Sequence, residues 1–197
     1  MFGMNGSVSI PMRCFWALEV PRTLWGHVER VQRLLRRAGV AASWTRPEHL
    51  HLTVRFLGEQ PEERLGELEA VGRRVAGRSR PFELESDGVG AFPDLGRPRV
   101  VWIGFRRSQE LEELFGALEG ELRLRGFDPE MRPFRPHLTV ARLKESRSLR
   151  GLLTGLELEA VRFAVRELVL FRSELHPTGA RYSALLRIPL GLQDHPG

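Results

Sequence analysis

The sequence predicts an α+β fold of two pseudo-symmetric lobes, each an antiparallel sheet with helices on its outer face, enclosing a central cleft. Three observations predict it. Apolar runs of strand length alternate with helical periodicities along most of the chain. The order strand–helix–strand–helix–strand occurs twice, and the tetrapeptide His-Leu-Thr-Val stands once in each copy, at His51–Val54 and His137–Val140. An offset of roughly 86 positions maps Trp16 onto Trp102, Pro47 onto Pro133 and His51 onto His137.

The elements follow in order. Residues 1–11 have no periodic pattern and read as a disordered extension. Residues 12–190 read as one bilobal domain, duplicated over about 12–92 and 99–190, with 191–197 as a tail. Residues 13–20 form an apolar, aromatic strand that stops at Pro21. Leu24, Val28, Val31 and Leu35 then recur at helical spacing, and Gly39 suits a left-handed exit. After a connector at 44–47, residues 50–57 read as a strand, and Leu65, Leu68, Val71 and Val75 mark a second helix opened by Pro61. Residues 81–92 read as extended, with glycine breaks at Gly88 and Gly90.

In the second copy, residues 99–105 form the strand, and Ser108 suits the cap of a helix carrying Leu111, Leu114, Leu118 and Leu122. That helix ends near Gly126. A connector at 131–136 leads to the strand 137–143, a short helix around 149–154, and strands over 160–171 and 182–188.

Composition narrows the classes of function. With 42% hydrophobic and 28% charged residues the chain has the makeup of an ordinary globular protein. No apolar run approaches the roughly 20 residues that span a bilayer, and the start lacks the plan of a signal peptide. A single cysteine, Cys14, excludes an internal disulfide and a cysteine-rich metal cluster. A cytoplasmic protein is expected. The net charge of +5 rests almost wholly on arginine, since Lys144 is the only lysine. Base composition of the gene accounts for such a bias, and the charge points mildly to an anionic ligand.

The repeated tetrapeptide carries the chemistry. Side chains alternate along a strand, so each histidine shares a face with the threonine two residues on, while Leu52, Val54, Leu138 and Val140 point to the core. Two such strands facing each other present two imidazoles and two hydroxyls to one cleft. Opening a cyclic phosphodiester needs one group to take a proton from water and one to give a proton to the leaving oxygen, and imidazole suits both. Two hydroxyls can donate to the non-bridging oxygens. No metal and no cofactor is required.

These residues resemble the two-histidine phosphoesterase superfamily, marked by paired His-x-Thr-x motifs. Within it the chain is similar to the RNA 2',3'-cyclic phosphodiesterases, also called 2'-5' RNA ligase-like proteins. The resemblance runs from about Met12 to Leu190: FWALEVP, the Arg-Pro-Glu before HLTVRFLGE, GAFP at Gly90–Pro93, RPFRPHLTVAR, LVLFRSEL, and the pair Gly179 and Tyr182. It implies that His51 is the general acid and His137 the general base, giving a 2'-phosphate end. It further implies that Thr53 and Thr139 bind phosphoryl oxygens, that Arg142 contacts phosphate, and that Phe56 offers an aromatic face to base or sugar. The partners it implies are RNA with 2',3'-cyclic phosphate ends or small cyclic-phosphate nucleotides, with reversible 2'-5' ligation as a further activity, no membrane, and a monomer by default. Which histidine is acid rests on the resemblance alone.

Two other readings compete. A non-catalytic binder of RNA ends or phosphorylated nucleotides would use the same threonines and arginine. A metal-dependent hydrolase would use His49 and His51, although Arg135 replaces the histidine in the second copy. Arg46 and Arg135 flank the motifs and could extend the phosphate surface, and His176 could line the cleft edge. His27 reads as solvated or half-buried, and Trp16 and Trp102 as core.

Overall fold

A computed structural model describes residues 11–176 and 179–191. The expected extension and tail, with His195, therefore lie almost wholly outside the described residues. Among the described residues nine strands and four α-helices follow in order: β1 (Met12–Glu19), α1 (Trp25–Arg37), β2 (Ala42–Trp44), β3 (His51–Gln60), α2 (Leu65–Arg78), β4 (Phe82–Phe92), β5 (Val100–Phe105), α3 (Gln109–Arg123), β6 (His137–Leu143), α4 (Arg150–Leu153), β7 (Arg162–Val165), β8 (Glu167–His176) and β9 (Gly179–Pro189). They form two antiparallel sheets, ordered β3-β1-β8-β9 and β2-β6-β5-β4-β7. No helix among the described residues is long and apolar enough to cross a membrane.

Local signals act as the sequence predicts. Leu24, Val28, Val31 and Leu35 are all buried, and Gly39 and Gly126 close their helices at φ 70° and 77°. The Ser108 hydroxyl accepts the Leu111 N–H at 3.2 Å, capping α3. The apolar faces merge into one large core shared by both sheets and the helices. Within it, α2 packs against β8, β9 and α3, α3 against β3, and α1 against β6. Gly72 on α2 is needed there, because a Cβ would come within 2.5 Å of both the Trp16 ring and Ile188.

The wiring departs from two consecutive lobes. β4, which ends the first copy, pairs with β5 and β7 of the second. β2 pairs with β6, while β8 and β9, from the end of the second copy, complete the sheet begun by β1 and β3. Each lobe is thus closed by strands from the other half. The run 160–171, expected as one strand, splits at Arg166 so that β7 and β8 join different sheets. β2 ends on Trp44, the first residue of the expected connector, and the expected extended run 81–92 is the continuous strand Phe82–Phe92, with an irregularity at Gly88.

The two His-x-Thr strands also meet their neighbours in a register other than the offset of roughly 86 positions predicts. Ala17, Leu18 and Glu19 stand opposite Thr53, Leu52 and His51. Trp102, Ile103 and Gly104 stand opposite Thr139, Leu138 and His137. Trp102 therefore corresponds to Ala17, and a one-residue slip reverses the faces. Trp16 lies in the core as expected, whereas Trp102 is half-buried beside a cavity.

Candidate active site

Both His-x-Thr strands open on one cavity of about 1110 Å³ between the sheets. Its lining includes His51, Thr53, His137 and Thr139, the four residues the repeated tetrapeptide brings to mind. Leu52, Val54, Leu138 and Val140 are buried, anchoring each strand from the opposite face.

The two rings are held alike. Nδ1 of His51 lies 2.8 Å from the His49 carbonyl oxygen, and Nδ1 of His137 lies 2.7 Å from that of Arg135. A carbonyl only accepts, so Nδ1 carries the hydrogen on both rings, and Nε2 is the nitrogen available to a substrate. Burial pushes His51 down to about 4, opposed by its bond to the His49 carbonyl and reinforced by the neighbouring charges of His49, His137 and Arg142. His137 is lowered too, again by burial first, against its bond to the Arg135 carbonyl and with help from Arg142.

Their surroundings differ. His51 sits among Phe15, Phe171 and Tyr182, with ring centroids 4.7, 6.0 and 4.9 Å away. His137 meets the edge of Phe92 at 4.9 Å. Phe15 and Phe171 were not expected at the site, because nothing in an apolar run marks which residues face a cleft, and Tyr182 entered only as part of the resemblance, with no role given.

Two β-bulges decide what else reaches the cavity. In β6, Val101 pairs with Ala141 and Trp102 with Thr139, leaving Val140 as an extra residue. Arg142 stands five places after His137 and would face away in a regular strand; the extra residue returns it to the cavity. The Val140 carbonyl accepts from the Gln32 side-chain amide at 3.0 Å and from the Thr45 N–H at 3.1 Å, so buried Gln32 on α1 pins the bulge. In β3, Val54 is likewise extra, which turns Phe56 to the cavity beside Phe15 and sends Arg55 to Glu119 on α3. Phe56 is 39% exposed at the mouth, with the Arg13 guanidinium 4.8 Å from its centroid.

The remaining candidates separate clearly. Arg135 lines the cavity, together with Arg13 and Arg132, which carried no signal in so arginine-rich a chain. Arg46 does not line it, and His176 lies beside Glu174 at the sheet edge. His27 is half-buried, as expected. His49 belongs to the 3-10 turn Pro47–His49 rather than to β3, and its ring meets Tyr182. Among the described residues no group of three or more His, Cys, Asp or Glu side chains is placed to hold a metal.

Comparison with known proteins agrees with this geometry. Residues 20–177 match the family model of the 2'-5' RNA ligase superfamily. The chain belongs to that superfamily. It is 36% identical over 178 residues to an RNA 2',3'-cyclic phosphodiesterase of Methanothermobacter thermautotrophicus, covering 87% of this chain and 95% of that one. It is 37% identical over 192 residues to the protein of the same name from Thermus thermophilus, covering 91% and 90%. A crystal structure of Escherichia coli LigT with 3'-AMP superposes with a TM-score of 0.72 at 26% identity, over 93% of this chain and 100% of LigT. The superfamily's fold therefore extends across nearly all the described chain.

Proposed function

We propose that this member of the 2'-5' RNA ligase superfamily hydrolyses RNA 2',3'-cyclic phosphodiester ends to 2'-phosphate ends by acid–base catalysis without a metal. The observation that carries the reading is the matched pair of imidazoles, each tied through Nδ1 to a carbonyl two residues back and each beside a threonine, around one cavity. Pure binding of a phosphate needs no such pair.

His137 takes a proton from water as the water oxygen attacks phosphorus, and His51 gives a proton to the departing 3' oxygen. Thr53 and Thr139 donate to the non-bridging oxygens, and Arg142 balances the charge that develops on them. The order of the rings follows the family resemblance. Phe56 offers a stacking surface at the mouth, with Arg13 as its neighbour. The protein is taken to act as a cytoplasmic monomer.

The test is incubation with a dinucleotide 2',3'-cyclic phosphate in excess chelator. A 2'-phosphate product at an undiminished rate is expected. Tight binding without turnover would favour a binder of RNA ends, and loss of activity with chelator would favour a metal hydrolase.

A pH profile follows from the two depressed rings. The competent state holds one proton on the pair, so kcat/KM peaks midway between the two free-enzyme values. Both lie below the ordinary 6.5, which places the optimum of kcat/KM on the acid side of that value. An anionic phosphodiester between the rings raises both, so the optimum of kcat lies at higher pH. Coincident optima in the two profiles would contradict this account.

A further inference from the structure

Residues 124–136 link α3 to β6 without helix or strand. This connector supplies Glu130, Arg132, Phe134 and Arg135 to the wall of the cavity between the sheets. A backbone outside any ladder is held in place by side-chain partners, and here they meet at Arg55. The extra residue Val54 turns Arg55 out of β3 toward α3. Its guanidinium pairs with Glu119 on α3 and donates to the carbonyls of Phe56, at 2.6 Å, and of Asp128. The other oxygen of the Glu119 carboxylate accepts the Glu130 N–H at 3.0 Å. The side chains of Arg55 and Glu119 are only 11% and 15% exposed, so this is not one of the loose surface pairs that contribute little. One cation thus ties the strand of His51 to the connector that leads into the strand of His137.

The cavity has more room and more positive charge than one cyclic phosphate uses. Small-molecule sites occupy about 300–1,000 Å³, and this one is about 1110 Å³. Arg142 stands close enough to both imidazoles to depress them, and so belongs to the reacting phosphate. Arg132 has no such effect on either ring. It stands two residues beyond Glu130, donates its own N–H to the Glu130 carboxylate at 3.1 Å, and is exposed where it lines the cavity. A guanidinium set apart from the rings is placed for a second phosphate.

We propose that Arg132 binds the internucleotide phosphate one step before the cyclic end of an RNA chain, and that Arg55, acting through Glu119 and the connector, is its positioning residue. This rests on the phosphodiesterase reading and deepens it, since a chain of two or more nucleotides is then preferred to a single cyclic nucleotide. The bulge in β3 serves both ends of the substrate. It turns Phe56 to the cavity mouth, and it sends Arg55 to fasten the connector that presents Arg132.

The experiment compares a dinucleotide 2',3'-cyclic phosphate with an analogue in which an uncharged methylphosphonate joins the two nucleosides. Bases, sugars and reacting ring are the same, so the ratio of the two kcat/KM values reads the charged contact alone. In the unaltered protein the charged substrate is expected to lead by about tenfold or more, the usual effect of a hydrogen bond to a charged group. Arg132→Ala is expected to bring the ratio near one. Arg55→Met and Glu119→Gln should each lower it by at least about threefold, as the contact loses part of its strength. Adding Arg55→Met to Arg132→Ala should not change it further, because the first acts only through the second. A general disturbance of the fold would lower both rates and leave the ratio. Should Arg55→Met not fold, Glu119→Gln, which keeps its shape and loses its charge, carries the same comparison. A ratio near one in the unaltered protein, or a lead that survives Arg132→Ala, overturns the phosphate site. A ratio unmoved by Arg55→Met and Glu119→Gln overturns the positioning role. Failure of the unaltered protein to open the ring of either substrate instead overturns the phosphodiesterase reading.

Discussion

His51→Ala and His137→Ala are each expected to lower turnover of a 2',3'-cyclic-phosphate dinucleotide by at least about 100-fold, the usual contribution of a positioned acid or base. Both rings line the cavity through side chains that are only half-buried, so truncation removes little packing. The thermal midpoint should therefore move little while activity collapses. The double variant should lose scarcely more than either single one, because a proton taken and a proton given in one displacement act as a unit. Near-normal turnover in either single variant would remove that ring from the chemistry. Equal binding of a 2'-phosphate product by all three variants would show that the loss lies in the reaction step.

Arg142→Met should reduce kcat/KM by roughly 10–100-fold, since hydrogen bonds to charged groups contribute about 1.5–3 kcal/mol and each 1.4 kcal/mol is tenfold. The same variant removes a positive charge that depresses both imidazoles. Its kcat/KM optimum should accordingly move to higher pH, an effect that loss of a merely structural arginine would not give. Arg142→Lys keeps the charge without the planar fork, so it should restore the pH optimum more fully than the rate. An unshifted optimum in Arg142→Met would mean that the guanidinium does not face the rings. Arg142 reaches the cavity through the bulge at Val140, whose carbonyl is held by Gln32.

Much of the site was legible because its signal is local. A histidine and a threonine two places apart share a strand face whatever the rest of the chain does, and the repeat made that pattern conspicuous. Arg142 and Phe56 were different, since strict alternation puts a residue five places on at the opposite face. Only the extra residues Val140 and Val54 correct it, and bulges leave no reliable mark in a single sequence. The helices were legible from their apolar spacing and from Gly39, Ser108 and Gly126. The exchange of β4, β8 and β9 between lobes was not, because strand partners are chosen by contacts distant in sequence. The same limit hid β2, three residues long and meaningful only beside β6.

That exchange bears on how the protein is made. The aromatic surroundings of His51 include Phe171 on β8 and Tyr182 on β9, more than a hundred residues later in synthesis than the histidine itself. A nascent chain that has emerged only as far as His137 has both imidazoles and no finished cradle for the first. β1, which lies between β3 and β8, has its second edge covered only once β8 has been made. A polypeptide that stops short of β8 therefore lacks Phe171, Tyr182 and the strand that covers the second edge of β1.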